Sequence, residues 1–280
     1  ALIEDNSLYL GQDPSSTTST AEYNLSVGVT ALDAVTTGDA NIAIGHDAMS
    51  ANTTGSGNLA IGYGAYDNAD TEGNNLAIGR DALGGSINGG ETNIAIGNYS
   101  LDANTSGDRN VALGYVALTQ NSTGTYNVAI GSGASQLNSS GSSNTSLGNN
   151  SMYSNTSANY NTAIGAEALY DIARTSDTDG YNTALGYNAG NTGTNDITTG
   201  NKNTLLGAST AASAAAGTNQ TIIGYGASGV ANNSVTIGNS DVIAWYPGAD
   251  NTADLGSSSV EFKDLYIDGT ANLDAVDIDA

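Results

Sequence analysis

The chain has 280 residues, of which 5 are Lys or Arg and 28 are Asp or Glu, so its formal net charge is −23. It contains no Cys, which excludes a disulfide scaffold, a zinc site with Cys ligands and a thiol nucleophile. The charge argues against binding to nucleic acid, which needs clustered Lys and Arg, and no apolar run is long enough to predict membrane insertion.

A short pattern, Asn-x-Ala-Ile-Gly, recurs from residue 24 to about residue 240. Most of its closing glycines are 17 residues apart, with single steps of 18 and 14 and two steps of 21. These glycines are Gly28, Gly45, Gly62, Gly79, Gly97, Gly114, Gly131, Gly148, Gly165, Gly186, Gly207, Gly224 and Gly238. A disordered chain needs no such fixed phase, so the pattern predicts a repeat fold. We therefore divide the sequence into an N-terminal cap or connection (1–23), a β-roll repeat domain (24–240) and a C-terminal β collar or start of a further fibre module (241–280).

Each unit carries a short alternating segment before its glycine. In one unit this segment is Ile42, Ala43 and Ile44. Because side chains alternate along a strand, the pattern predicts one aliphatic face and one face of small residues. We expect the aliphatic face to form the core and the small face to allow close approach of a neighbouring chain. In later units Thr shares the aliphatic face and is expected to point inward, as at Thr145, Thr162, Thr183 and Thr204.

A second apolar pair, such as Ala48-Met49, follows the glycine, and the remainder of each unit has the Asn, Thr, Ser and Gly of turns. The abundance of Gly and β-branched residues excludes a helical repeat. Two strands of about five residues and two turns account for one unit. The sequence thus predicts an all-β protein, a parallel β-roll or β-solenoid of about 13 coils. Because such a core is thin, we expect a homotrimeric fibre.

The repeated Asn, aliphatic residue and Gly are assigned structural roles. The Asn amide can bond the next Asn or a turn carbonyl, and the Gly permits a tight turn or a close backbone approach. The residues assigned to this repeat are Asn41, Ile44, Gly45, Asn58, Ile61, Gly62, Asn75, Ile78, Gly79, Asn127, Ile130, Gly131, Asn161, Ile164 and Gly165.

These repeats resemble the head domain of trimeric autotransporter adhesins and repeats of phage tail fibres. The resemblance covers about residues 24–240, and the 17-residue spacing is closer to the phage version. The segment 251–270 is similar to a module common in phage tail fibres, which more often has Trp where Phe262 stands. The resemblance implies a left-handed parallel β-roll, three chains around one axis, and a role in attachment to a host or surface.

Tyrosines recur at two fixed positions of the repeat. Those directly after the glycine are our candidate receptor contacts, Tyr63, Tyr115, Tyr187 and Tyr225. Those directly before the Asn are Tyr23, Tyr126, Tyr160 and Tyr181. Exposed rows of Tyr can stack on sugars, whereas packing between coils or chains is the structural alternative, which we favour.

No enzymatic activity, cofactor or metal site is predicted. His46 lacks the partners of a catalytic triad, and the carboxylates are scattered along turns rather than paired on one strand face. Asp177-x-Asp179-Gly180 matches part of a calcium loop without its remaining ligands, so we favour a plain turn.

The leading hypothesis is a structural segment of a phage tail fibre, located in the virion, that mediates or spaces attachment to the host surface. Its expected partners are further copies of itself, other fibre or tail proteins, and a glycan or protein of the host surface. The alternative is a bacterial cell-surface adhesin or extracellular appendage subunit. Two less favoured hypotheses are an ice-binding solenoid, suggested by the Thr rows, and a depolymerising tailspike enzyme.

Overall fold

A computed structural model describes residues 2–4, 6–11, 20–172, 179–246, 255, 257, 259–260, 262–264 and 266, which form strands and turns but no helix. The chain divides into two compact units, residues 1–239 and 240–280. In the second unit, Ser257 and Val260 form an antiparallel bridge. The alternating segment 273–279 lies outside the described residues.

The first unit is one sheet of fifteen strands in chain order. The strands are β1 (Leu2–Glu4), β2 (Ser7–Gly11), β3 (Leu25–Gly28), β4 (Ile42–Ile44), β5 (Leu59–Ile61), β6 (Leu76–Ile78), β7 (Ile94–Ile96), β8 (Val111–Leu113), β9 (Val128–Ile130), β10 (Thr145–Leu147), β11 (Thr162–Ile164), β12 (Thr183–Leu185), β13 (Thr204–Leu206), β14 (Thr221–Ile223) and β15 (Val235–Ile237). β1 is antiparallel to β2, whereas β2–β15 are parallel. Fourteen parallel strands separated by thirteen turns of the chain make a β-solenoid.

The spacing of the glycines sets the register of this sheet. Ile44 pairs with Ile61 across a 17-residue step, and Ile78 pairs with Ile96 across the 18-residue step. The predicted repeat, its period and its all-β class are therefore confirmed.

The sheet begins one coil earlier than the recognised repeat. β2 pairs with β3 in the same register, so that Leu8 lies beside Leu25 and Gly11 beside Gly28. The pattern is hidden in the sequence because Ser7 stands where later coils have Asn and Tyr9 where they have a small residue. Antiparallel β1 covers the edge of β2, which would otherwise present unpaired backbone groups.

The expectation of two strands per coil was wrong, because each coil contributes one strand, usually of three residues. The second apolar pair lies in a turn, where backbone φ is positive two and four residues after the glycine, as at Asp47 (59°) and Met49 (53°). A left-handed residue bends the chain and interrupts pairing, at a cost of about 1–2 kcal/mol. Burial of a side chain such as Leu118, worth about 2 kcal/mol, offsets that cost.

The assignment of the two strand faces was also wrong. Ala43 and its equivalents are fully buried inside the coil, whereas Ile42 and Ile44 point outward. The interior is narrow, and the large side chains of the second apolar pair, such as Met49 and Leu83, fill it from the opposite side. Only a methyl group or hydroxymethyl group fits opposite them in most coils. The later Thr residues share the outward face, so Thr183 and Thr204 are exposed rather than buried.

Candidate functional site

The largest functional candidate is the outer face of the parallel sheet, which we call the aliphatic stripe. Each strand from β2 to β15 contributes two outward side chains, which form two columns along the solenoid. The second column is aliphatic throughout, whereas the first changes to Thr in five successive strands, at Thr145, Thr162, Thr183, Thr204 and Thr221. The most exposed aliphatic members within β4–β13 are Ile42, Ile94, Leu113, Leu147, Leu185 and Leu206, at 37–42%. Extended rows of exposed apolar side chains are typical of interaction surfaces, which makes the aliphatic stripe a candidate for one.

The residues assigned to the repeat occupy three lines on each coil. The aliphatic members lie in the second column of the stripe: Ile44, Ile61, Ile78, Ile130 and Ile164. The glycines directly follow these strands: Gly45, Gly62, Gly79, Gly131 and Gly165. The asparagines are buried directly before the strands: Asn41, Asn58, Asn75, Asn127 and Asn161.

The buried asparagines link neighbouring coils through hydrogen bonds. The Oδ1 atom of Asn41 accepts the backbone N–H of Asn58 at 2.9 Å, and its Nδ2 atom donates to the carbonyl oxygen of Gly55 at 2.8 Å. Accepting bonds of the same kind run without interruption from Ser7 to Asn203. Each amide therefore satisfies backbone groups that have no access to water.

Replacing Asn127 with Ala is expected to lower the free energy of unfolding by about 1–3 kcal/mol. The substitution leaves the N–H of Asn144 buried without its acceptor, which lies at 3.0 Å, and removes one of the two amides that donate to the carbonyl of Gly141, the other being Asn138 at 2.9 Å. Urea denaturation at a fixed protein concentration measures the change. The control Asn149→Ala removes an exposed amide, and an equal loss of stability in both variants would contradict the prediction.

A second line of asparagines is buried, although the sequence predicts only turn residues at these positions. Asn138 donates from Nδ2 to Oδ1 of Asn121 at 2.7 Å, and Asn155 donates in the same way to Asn138 at 2.9 Å. The line consists of Asn52, Asn104, Asn121, Asn138 and Asn155. Each lies seven residues after a repeat glycine, and this constant phase was the available signal.

Two further columns flank the aliphatic stripe. The entry column consists of the residue before each repeat Asn, or before Gln220 and Ser234, which replace it in the last two coils: Tyr23, Ala40, Gly57, Asn74, Thr92, Arg109, Tyr126, Ser143, Tyr160, Tyr181, Lys202, Asn219 and Asn233. The exit column consists of the residue after each glycine: Val29, His46, Tyr63, Arg80, Asn98, Tyr115, Ser132, Asn149, Ala166, Tyr187, Ala208, Tyr225 and Asn239.

The candidate receptor tyrosines lie in the exit column and are 53–74% exposed. Tyr63 is sandwiched by its column neighbours, since its ring centroid is 5.3 Å from that of His46 and 5.3 Å from Cζ of Arg80. Tyr115 makes an edge contact with Tyr99 at 6.3 Å. Tyr187 and Tyr225 are separated by Ala208. The four tyrosines thus share one side of the solenoid, without forming one continuous aromatic row.

Five carboxylates form an acidic stripe on the turns, one in each of five successive coils. Its members alternate between the second and fifth residues after the glycine: Asp33, Asp47, Asp67, Asp81 and Asp102. Burial raises the pKa of Asp67 to about 6, and the carboxylates of Asp81, Asp47 and Asp102 add to that effect. Burial also raises the pKa values of Asp33 and Asp102. In the sequence these acids look scattered, because their position relative to the glycine alternates between coils.

The Asp67→Asn variant is expected to be more stable than the unchanged protein at pH 8, and equally stable near pH 3. A carboxyl whose pKa is raised from 3.8 to about 6 holds its proton more tightly in the folded state. The stabilisation that this tighter proton binding gives the folded state is therefore lost as pH rises from about 4 to 6. Because the side chain is partly hydrated, we expect a gain of only about 1 kcal/mol at pH 8. Thermal denaturation across this range tests the effect.

The matched control is Asp39→Asn, which removes one exposed carboxylate outside the acidic stripe. Its amide oxygen can still accept the N–H of Glu22, which bonds Oδ1 at 2.8 Å. A stability difference that does not change with pH in Asp67→Asn, or an equal pH dependence in the control, would contradict the assignment.

His46 contacts one carboxylate and one aromatic ring. The Nδ1 atom of His46 is 2.6 Å from Oδ2 of Asp47, and its ring stacks on Tyr63. Among the described residues, no three His, Asp or Glu side chains are grouped to hold a metal ion. Asp177 of the calcium-loop fragment lies outside these residues. The described segments also contain no helix that is long and apolar enough to cross a membrane.

Comparison with known proteins finds no protein-family model that matches this chain and no significant match among curated proteins.

Proposed function

We propose that the chain is a structural segment of a phage tail fibre, in which three copies pack around one axis through their aliphatic stripes. The observation that carries this proposal is the stripe itself, which extends over all fourteen parallel strands. In most coils the fold places Ala inside and leaves the larger Leu, Ile and Val side chains of the strands outside. Covering them removes apolar surface from water, worth about 1 kcal/mol for each half-exposed aliphatic side chain.

The narrowness of the stripe favours three copies. A three-residue strand is about 10 Å long, so the sheet is a narrow ribbon running along the solenoid. Three narrow ribbons can enclose a compact apolar interior, and the resemblance to adhesin heads and fibre repeats implies the same threefold, left-handed arrangement. The segment then mediates or spaces attachment to the host surface. A bacterial adhesin built in the same way is the alternative within this proposal.

The mass of the protein in solution tests this arrangement. Three copies of the 27.9 kDa chain have a mass of about 84 kDa, which light scattering after size exclusion distinguishes from a monomer. A stable monomer contradicts the trimer. Electron microscopy of the native particle then distinguishes the phage fibre from the bacterial adhesin, since it shows whether the segment belongs to a virion or to a cellular appendage.

A second candidate is ice binding, which the outward Thr column favours. Thr alternates outward with Leu or Ile in five consecutive strands, from Thr145 to Ile223, and makes a regular array on the sheet surface. Thr side chains that point inward, as the sequence led us to expect, could not bind ice, whereas these Thr side chains point outward. Thermal hysteresis of the purified protein is the test. The two functions compete for one face, so a stable trimer without hysteresis excludes ice binding.

A further inference from the structure

The entry column holds its side chains in a repeated geometry. Tyr126, Ser143 and Tyr160 have almost the same backbone φ, at 58°, 57° and 57°. Their backbone N–H groups bond to equivalent carbonyls of the preceding coil. Identical backbone conformations one coil apart direct the side chains in parallel. Accordingly, the rings of Tyr160 and Tyr181 stack with centroids 5.2 Å apart and an angle of 5°.

A gap interrupts this column at Ser143, which lies between Tyr126 and Tyr160. Two coil spacings separate the two tyrosines, which corresponds to about 10 Å. The serine side chain is too small to fill this interval. The rings of Tyr126 and Tyr160 therefore border a slot that is one coil high and, in the single chain, open to solvent, since both tyrosines are about half exposed.

Both tyrosines are supported from the side away from the slot. The Arg109 Cζ atom lies 5.4 Å from the ring centroid of Tyr126, and its Nη1 atom donates to the hydroxyl oxygen of Tyr126 at 3.0 Å. On the other side, Tyr181 stacks on Tyr160 and donates its hydroxyl to Oδ2 of Asp179 at 2.8 Å. The rings are thus held in place before any ligand binds, which reduces the entropic cost of binding.

The dimensions and chemistry of the slot favour a sugar ring. A ring placed midway lies about 5 Å from each tyrosine, which is similar to the spacing of Tyr160 and Tyr181. A flat ring is accommodated at this spacing, as the stack of Tyr160 and Tyr181 shows, but van der Waals contact on both of its faces needs only about 7–8 Å, so a thicker, puckered ring makes closer contact with both tyrosines. The Ser143 hydroxyl at the base has no hydrogen-bond partner among the described residues, and it can bond a sugar hydroxyl.

We propose that Tyr126, Ser143 and Tyr160 form a binding slot for one neutral hexopyranose ring of a polysaccharide. Pyranose rings present C–H groups to both tyrosines and hydroxyl groups to Ser143. Asp108 and Asp179, which lie beside Arg109 and Tyr181, and the net charge of −23 disfavour acidic sugars. This inference deepens the attachment role proposed above and rests on it for its biological use.

Saturation-transfer NMR on the full chain tests the slot. The probes are hexasaccharides of glucose, galactose, mannose and N-acetylglucosamine, with a galacturonic acid hexasaccharide as the acidic arm and a short Trp-containing peptide as the aromatic arm. We expect at least one neutral sugar to bind. Tyr126→Ala and Tyr160→Ala are expected to weaken that binding by about tenfold each, because each removes one stacking surface.

Two variants make the test specific. Ser143→Tyr fills the slot with a ring whose backbone φ is already accepted by its column neighbours, so it is expected to fold and to lose sugar binding. Tyr23→Ala removes an exposed tyrosine of the same column that has Ala40 beside it, and it is expected to bind normally. Circular dichroism checks the folding of each variant.

The proposal is overturned if no neutral sugar binds, if the Trp peptide alone occupies the slot, or if Ser143→Tyr binds like the unchanged protein. Equal loss in Tyr23→Ala also overturns it, because binding would then be general to exposed tyrosines. The mass of each sample keeps the two proposals apart. A trimer without sugar binding contradicts only the slot, and a monomer that binds sugar contradicts only the trimer.

Discussion

Replacing Gly114 with Ala is expected to prevent formation of a continuous solenoid. The backbone of Gly114 has a φ of +142°, which side chains rarely adopt, and it lies directly against the next coil. A methyl group there would be 2.5 Å from the carbonyl oxygen of Gly131 and 2.6 Å from its carbon atom. Gly131 directly follows the paired strand β9, and its own N–H bonds to the carbonyl of Leu113 at 2.8 Å, so its backbone cannot move away without disturbing the register. We expect destabilisation by more than about 4 kcal/mol, the range in which a protein of ordinary stability unfolds.

The control for this prediction is Gly89→Ala. Gly89 also has positive φ, at +109°, but an added methyl group meets no atom within 4 Å. It is expected to cost about 1–3 kcal/mol from backbone strain alone. We compare the two variants by soluble yield, circular dichroism and urea midpoint. The comparison distinguishes the backbone strain present in both variants from the steric clash with the next coil that only Gly114→Ala introduces. Similar losses in the two variants would contradict the proposed contact between coils.

The register of the solenoid could be predicted because glycine is required once per coil at a fixed place. The direction of the strand faces could not, because a period of two defines two faces without saying which is inside. General hydrophobicity favours an inward Ile44, but the coil is too narrow for two large side chains to meet. The volume available in the interior therefore determines which strand face points inward, and hydrophobicity alone predicts the wrong face.

The last coils contain a signal that distinguishes the two faces. In two of these coils the middle residue of the strand is large, at Leu205 and Ile222. In the same two coils the second apolar pair contains no large residue: it ends in Ala211 in the first and is replaced by Ala227-Ser228 in the second. Such an exchange of volume indicates that the two positions meet in the same interior, and both Leu205 and Ile222 are buried. Compensation within the repeat was thus better evidence for the core than hydrophobicity.

The candidate sites were predictable to different degrees. Regular recurrence of Tyr after the glycine and before the Asn placed these side chains in two columns, as the parallel register requires. Two contacts could not be predicted in this way: the stacking of Tyr160 on Tyr181 across a 21-residue step, and the packing of Arg109 on the ring of Tyr126. Both depend on the backbone conformation at each turn. Positive φ at such bulky residues is uncommon, so propensity offered no basis for expecting it.

Introducing Lys at Leu113 and Leu147 is expected to convert the proposed trimer of about 84 kDa into a folded monomer of 27.9 kDa. Both side chains point outward from the sheet and are 41% exposed in the single chain. The monomer should therefore tolerate the change with a loss of stability within about 0.5 kcal/mol per site. In the trimer each Lys would have to be buried without a partner charge, which costs several kcal/mol per group. Lys also lowers the negative charge of the chain, so added repulsion between acidic subunits cannot account for dissociation.

The matched control carries Lys at Gln120 and Ser139, two exposed residues in the turns rather than in the strand face. It changes the net charge by the same amount and is expected to keep the trimer mass. Light scattering gives the mass of both proteins, and far-ultraviolet circular dichroism shows whether the sheet is retained. If the stripe variant keeps the trimer mass, the stripe is not the contact between copies. If both variants dissociate, charge rather than the aliphatic surface controls assembly. Dissociation of the stripe variant alone, with its sheet intact, is the result that the outward placement of Leu113 and Leu147 predicts.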